Sequence, residues 1–210
     1  MTKKALRGGM RARLAALPPE RFLREGRAAA AALVKSPTWA GAHAILLFRS
    51  LPREIDTGPL AEAARAAGKG LFFPRVEAAD SAAPPGVSRA MRFYAAFPGE
   101  GAWTPDACGI TAPARGRPLA AADFPCLILT PGLCFDAEGR RLGRGGGFYD
   151  RFFARLDNAG AAYTACGLCL ECQLIPPHEE RIPTDTWDTA MDLVLAGGIL
   201  SVGRPRHSAA

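Results

Sequence analysis

The chain has 210 residues, 49% hydrophobic and 22% charged, with a formal net charge of +6. This composition reads as a soluble globular protein of one domain, long enough to bury a real core. No apolar run reaches the roughly 18 residues of a membrane-spanning helix, and the N-terminal MTKKALRGGMRARL has no apolar signal core, so the expected compartment is the cytoplasm, with no membrane partner.

Part of the positive charge is local. Residues 1–27 hold Lys3, Lys4, Arg7, Arg11, Arg13, Arg21, Arg24 and Arg27 against Glu20 and Glu25. A basic end suits nucleic acid, an anionic small ligand or a solvated helix face. No nucleic-acid motif accompanies it, so a nucleic-acid partner is not expected.

The spacing of Leu6, Met10, Leu14 and Leu17 predicts a helix over residues 2–17, with Lys3, Arg7 and Arg11 as a separate basic stripe. Pro18–Pro19 interrupts the chain, and an Ala-rich helix follows from about Glu20 to Val34. HAILLF (43–48) fits a buried strand. DTGPLAEAARAAG fits a helix capped by Asp56 or Thr57 and stopped at Gly68. LFFPRV (71–76) is the next strand, and this βαβ unit argues for a parallel sheet. A loop is expected at 77–89 and a strand at 91–97; the thirty residues that follow are too rich in Pro and Gly to place. Further strands are expected at 124–131, 163–170 and 191–196, the last closing the sheet, with a helix from about Gly147. The whole reads as a single domain over 1–203 with a flexible tail at 204–210.

Cys166, Cys169 and Cys172 stand close together in CGLCLEC. In a strand, residues three apart point to opposite faces, so Cys166 and Cys169 could not share a metal. They are expected to be reduced thiols packed as small hydrophobes. His43, beside a strand, reads as structural, and His178 in PPHEER has no second His at zinc-binding spacing.

The stretch GRRLGRGGGFYDRFF (139–153) places Gly143, Gly145, Gly146 and Gly147 within five residues, just before a predicted helix. A helix N-terminus exposes unpaired amides and the positive end of the dipole, and glycines let backbone approach an anion closely. The pattern suits a phosphate cradle. It is neither a P-loop, lacking Gly-Lys-Ser/Thr, nor a dinucleotide fingerprint, since a long loop separates strand from glycines. The alternative from spacing alone is a flexible turn.

LTPGLCFDAEGRRLGRGGGFYDRFFARL resembles the signature of the 5-formyltetrahydrofolate cyclo-ligase (methenyltetrahydrofolate synthetase) family: a Pro-Gly, a Phe-Asp, an Arg-Leu-Gly, a glycine-rich run and a Tyr-Asp. KKALRGGMRARL, REIDT, GKGLFFPRV, CQLIP and IPTDTWDTAMDLVL are similar to further family segments, in order along almost the whole chain. The resemblance implies an open α/β fold, a mixed or mostly parallel sheet flanked by helices in a Rossmann-like three-layer sandwich. It implies a ligase that converts 5-formyltetrahydrofolate, with or without a polyglutamate tail, and ATP into 5,10-methenyltetrahydrofolate, ADP and phosphate through a phosphorylated formyl group, with Mg²⁺ as cofactor.

Carried over to this sequence, the resemblance implies that Lys3, Lys4 and Arg7 clamp ATP phosphates from the first helix. Arg141, Leu142, Gly143, Arg144, Gly145, Gly146, Gly147, Phe148 and Tyr149 wrap the triphosphate, with Arg144 and Tyr149 as catalytic residues. Asp150 and Asp188 hold Mg²⁺. Glu54 accepts hydrogen bonds from the pterin, and Arg49, Leu51 and Phe148 line the pterin and formyl region.

Two residues depart from the family pattern. Phe148 stands where a second tyrosine is usual, and Ala112 in GITAPARG replaces a carboxylate. They leave open a divergent paralogue that keeps the nucleotide site and acts on another substrate.

Overall fold

Alternation within HAILLF divides the core in two. Ala44 and Leu46 face one side of the central sheet; Ile45 and Leu47 face the other. The computed structural model describes residues 2–80, 86–177 and 181–203, so His178 and the tail at 204–210 lie outside the described residues. The sheet has seven strands in the order β12 (Ile199–Val202), β11 (Leu193–Ala196), β9 (Tyr163–Cys169), β6 (Cys126–Thr130), β1 (Ala44–Leu46), β2 (Gly70–Ala78) and β3 (Arg89–Ala95). The five inner strands run parallel, and β12 and β3 flank them antiparallel. The expected mostly parallel α/β sheet is therefore present.

Helices α1 (Lys3–Ala15), α2 (Pro19–Leu33), α3 (Pro37–Gly41) and α4 (Gly58–Ala66) cover one face. Leu6, Met10, Leu33, Trp39 and Leu60 pack there with Ile45 and Leu127. On the other face α5 (Phe148–Asn158) buries Phe152, Phe153 and Leu156 against Leu46, Phe72 and Ile128. Each fully buried side chain of this size contributes about 1.5–3 kcal/mol.

The chain leaves β1 toward β2 on one side and β6 toward β9 on the other. The direction of winding thus reverses between β1 and β6. In open α/β sheets a crevice forms at such a reversal, outside the carboxyl ends of the strands. The segments that follow β1 and β6, at Phe48–Leu51 and Pro131–Gly132, border the main cavity.

A small sheet in the order β10 (Leu174–Ile175), β7 (Cys134–Asp136) and β8 (Arg141–Leu142) anchors the loop that carries the glycines. Its ring of Phe135 lies where a Cβ on Gly167 of β9 would fall, 2.4 Å away, so glycine there permits the close approach of the two sheets.

Several elements differ from expectation. Pro19 opens α2 at its first turn, where a missing N–H costs nothing, rather than only breaking the chain. Thr57 occupies the N-cap of α4, but its hydroxyl donates to Phe48 O, and Asp56 Oδ1 accepts the Gly58 amide at 2.8 Å instead. Strand β2 runs to Ala78 and β3 starts at Arg89, so the expected loop at 77–89 is shorter. The unplaced segment contains a hairpin, β4 (Trp103–Pro105) and β5 (Thr111–Pro113). The sheet ends with β12, not β11, through a turn at Gly197–Gly198 with positive φ at both glycines.

Cys166 and Cys169 lie in opposite core clusters, one on each face of β9. Among the described residues no group of His, Cys, Asp and Glu is arranged to hold a metal ion by itself. Burial pushes the Cys126, Cys134 and Cys166 thiols up to about 12, while Cys108 is exposed. Buried, protonated thiols are poor nucleophiles and ligands. Ellman's reagent is therefore expected to modify Cys108 fast and the buried thiols only on unfolding, and elemental analysis to find no cysteine-bound iron or zinc. Stoichiometric metal that vanishes in a triple Cys→Ser variant at 166, 169 and 172 would overturn this.

Candidate active site

The glycine stretch feeds directly into α5. Gly147 is its N-cap, at φ +61, a left-handed conformation that favours glycine. Asp150 lies in the first turn. The amides of Phe148 and Tyr149 therefore start a helix whose positive dipole end faces the cavity, a sound basis for holding an anion. The cavity measures about 330 Å³, which suits a small-molecule ligand.

Helix α1 brings its charges to the same place. Thr2 caps it, with Oγ1 accepting the Ala5 amide at 3.2 Å. Leu6, Met10 and Leu14 face the core, which fixes the rotation of the helix. Lys3 and Arg7, one turn apart, then line the cavity. Arg7 Nε donates to Gly143 O at 3.0 Å. Lys3 Nζ bridges Asp185 at 2.7 Å and Asp188 at 2.6 Å. Burial pulls the Lys3 ammonium down, but its two carboxylate partners outweigh that and leave its pKa raised. Lys4 points elsewhere: it is exposed and lies outside the cavity wall.

The other expected residues converge. Arg141, with only 7% of its side chain exposed, pairs with Asp150 Oδ1 at 2.7 Å. Arg144 is 48% exposed and reaches Glu54 Oε1 through both Nε at 3.1 Å and Nη2 at 2.7 Å. Glu54 Oε2 accepts the Leu51 amide at 2.9 Å. Arg49, Leu51 and Phe148 line the cavity, and Arg151 stacks over the Phe148 ring at 5.0 Å. Leu142 is buried in β8, its carbonyl accepting the Leu133 amide at 2.7 Å, so its contribution is to hold the loop.

Tyr149 behaves differently from its neighbours. Its ring underlies the Arg141 guanidinium at 5.7 Å, but its hydroxyl is buried. Among the described residues, that hydroxyl and Arg141 Nε are the buried side-chain polar atoms without a hydrogen-bond partner. Burial raises the phenol pKa, so it stays protonated. The ring serves as the floor beneath Arg141.

The sequence reading missed one whole wall. Pro74, Val76 and Met91 from β2 and β3, with Ile110 before β5 and Thr111 at its start, add a largely apolar part to the cavity lining. In sequence these residues look like ordinary strand positions. Ala112, 1% exposed, does not line the cavity although its neighbours do.

Asp150 and Asp188 both line the cavity, and the amide of Thr189, next to Asp188, donates to Asp150 Oδ1 at 3.3 Å. Two carboxylates beside the glycine loop are a hard-oxygen donor set of the kind that suits Mg²⁺, and in this structure Arg141 and Lys3 are their partners. The residues present fit such an ion.

Comparison with known proteins decides the family. The model of the 5-formyltetrahydrofolate cyclo-ligase family matches residues 1–197. The chain belongs to the 5-formyltetrahydrofolate cyclo-ligase family. It is thus an enzyme of the ligase type. The Escherichia coli 5-formyltetrahydrofolate cyclo-ligase is 28% identical over 190 residues, spanning 89% of this chain and 95% of that protein. The Mus musculus 5-formyltetrahydrofolate cyclo-ligase is 27% identical over 194 residues, covering 92% of each chain. The fold is shared with the Aquifex aeolicus 5,10-methenyltetrahydrofolate synthetase, at a TM-score of 0.74 and 24% identity over 100% of this chain and 97% of that one. No helix among the described residues is long and apolar enough to cross a membrane.

Proposed function

We propose that this cyclo-ligase family member uses ATP and Mg²⁺ to convert 5-formyltetrahydrofolate into 5,10-methenyltetrahydrofolate, ADP and phosphate. The observation that supports this most is the meeting of Lys3, Arg7, Arg141 and Arg144 with the glycine loop in one cavity that also carries Glu54 and apolar residues of β2 and β3. That arrangement suits a ligand pair that is polyanionic at one end and a flat, hydrogen-bonding heterocycle at the other.

In this reading the loop amides, Arg7 and Arg141 hold the phosphates in line with the formyl group. The formyl oxygen attacks the γ-phosphorus as the bond to ADP breaks. The N10 nitrogen then attacks the formyl carbon and loses its proton, which the departing phosphate takes up as the carbon–oxygen bond breaks and the ring closes. Positioning and charge neutralisation carry most of such a reaction. Arg144 gives up Glu54 to meet charge on the moving phosphoryl group, and Glu54 then accepts from the pterin. Asp150 and Asp188 would hold Mg²⁺, which supplies charge neutralisation on phosphate oxygens when bound.

The basic N-terminus supports a small anionic ligand rather than nucleic acid. Lys3 and Arg7 face inward, Arg13 donates to Cys172 O, and Arg21 pairs with Glu25. The divergent-paralogue reading loses the support of Ala112, which is outside the cavity wall, and keeps only Phe148. The test is to mix the protein, Mg-ATP and 5-formyltetrahydrofolate and follow methenyl absorbance. An ATP-dependent rise that EDTA abolishes is expected. Tight Mg-ATP binding with no methenyl product would shift the assignment to the paralogue.

A further inference from the structure

One aromatic at the cavity rim has no place in the scheme above. Trp187 is 71% exposed and lines the cavity. It sits at the tip of a turn, Asp185–Asp188, closed by the Asp188 amide donating to Asp185 O at 3.1 Å. The Asp188 carboxylate accepts the Asp185 amide at 2.8 Å, and Lys3 ties both carboxylates to α1. Scattered exposed hydrophobics are common and need no explanation. This one is held out by a turn pinned at both ends, at the mouth of a binding cavity, where its ring gains nothing from the core.

We propose that Trp187 is the platform on which the base of the bound nucleotide stacks. The position selects the ligand. Lys3, which pins the turn, lies one helical turn from Arg7, and Arg7 is bonded to Gly143 of the phosphate cradle. Trp187 therefore belongs to the phosphate end of the cavity, not to the apolar wall of Val76 and Met91. A nucleotide whose phosphates occupy the cradle has a planar base to place beside it, and an indole face stacks on any base. Stacking gives affinity without choosing among bases, so selection of adenine falls to other groups.

The inference rests on the cavity being a nucleotide site, and the test separates the two ideas. Calorimetric titration of wild type, Trp187→Ala and Trp187→Phe uses Mg-ATP, Mg-tripolyphosphate and 5-formyltetrahydrofolate. Trp187→Ala is expected to weaken Mg-ATP about tenfold or more, to leave tripolyphosphate and 5-formyltetrahydrofolate unchanged, and to be largely rescued by Phe. Wild-type tryptophan fluorescence should change with Mg-ATP, and that response should shrink in Trp187→Phe, since Trp39 is buried and Trp103 reaches the cavity only through Arg49 above its ring. Equal weakening of ATP and tripolyphosphate would overturn the proposal, because the ring would then act only through the turn. Weakening of 5-formyltetrahydrofolate instead would overturn it in favour of the folate. Unchanged Mg-ATP affinity would sink it while leaving the proposed activity standing. Failure of wild type to bind Mg-ATP would end both.

Discussion

Arg144→Ala is expected to lower turnover by about three to five orders of magnitude, by analogy with arginine fingers, while the ligand-free protein melts almost as before. The side chain is half exposed, and it pairs with Glu54 at the cavity. An ion pair that open to water contributes little to folding. In the proposed reaction the same guanidinium would meet charge that develops on the γ-phosphoryl oxygens, where a preorganised cation counts for far more. Arg144→Lys should recover only part of the rate, since an ammonium lacks the planar fork. Mg-ATP should also raise the melting temperature less in the alanine variant than in wild type. The measurement pairs initial rates from methenyl absorbance with melting curves with and without Mg-ATP. Near-normal turnover would remove the phosphate role, and a collapse of ligand-free stability would make the residue structural.

Glu54→Gln is expected to separate the two substrates. The amide turns one acceptor into a donor and leaves a pterin N–H poorly paired, at a cost of about 1–3 kcal/mol, read as a lower kcat/KM for 5-formyltetrahydrofolate. Mg-ATP alone should bind as well as before or better. In the free protein Glu54 Oε1 holds both Nε and Nη2 of Arg144, and a neutral amide holds them less firmly. Arg144 would then turn to phosphate with less to give up. Calorimetry with each substrate separately checks this. If Mg-ATP weakened as much as folate, Glu54 would be acting through the shape of the loop and not through the pterin.

The parallel sheet was legible because its strands are continuous apolar runs. Cys126–Thr130 is buried throughout and reads so in sequence. The flanking helices were legible for the opposite reason, as periodic stripes such as Leu6, Met10 and Leu14. The hairpin at 103–113 was not, because a two-stranded ribbon rich in Pro and Gly offers too few alternating positions to count. In the site, local spacing found Lys3 and Arg7, and the glycine loop announced itself. Lys4 looked equivalent to Lys3 because both are basic neighbours, but one residue turns a helix by about 100°. Asp185 was invisible as a partner of Lys3, since 182 residues separate them and only tertiary packing joins them. Met91 and Val76 serve as strand residues and cavity wall together, and no pattern in the sequence distinguishes the two uses.

The ion pairs around the cavity have a consequence for how ligands arrive. Its wall carries five cationic side chains, Lys3, Arg7, Arg49, Arg141 and Arg144, and five carboxylates, Glu54, Asp106, Asp150, Asp185 and Asp188. The mouth is thus nearly neutral, and the protein's excess of +6 lies elsewhere. An arriving polyanion meets little long-range field, so its association rate should respond only weakly to ionic strength. Attraction develops at close range, when phosphate oxygens replace carboxylates as partners and few small counterions are set free. A site built this way favours a ligand that can offer Lys3, Arg141 and Arg144 new partners at once.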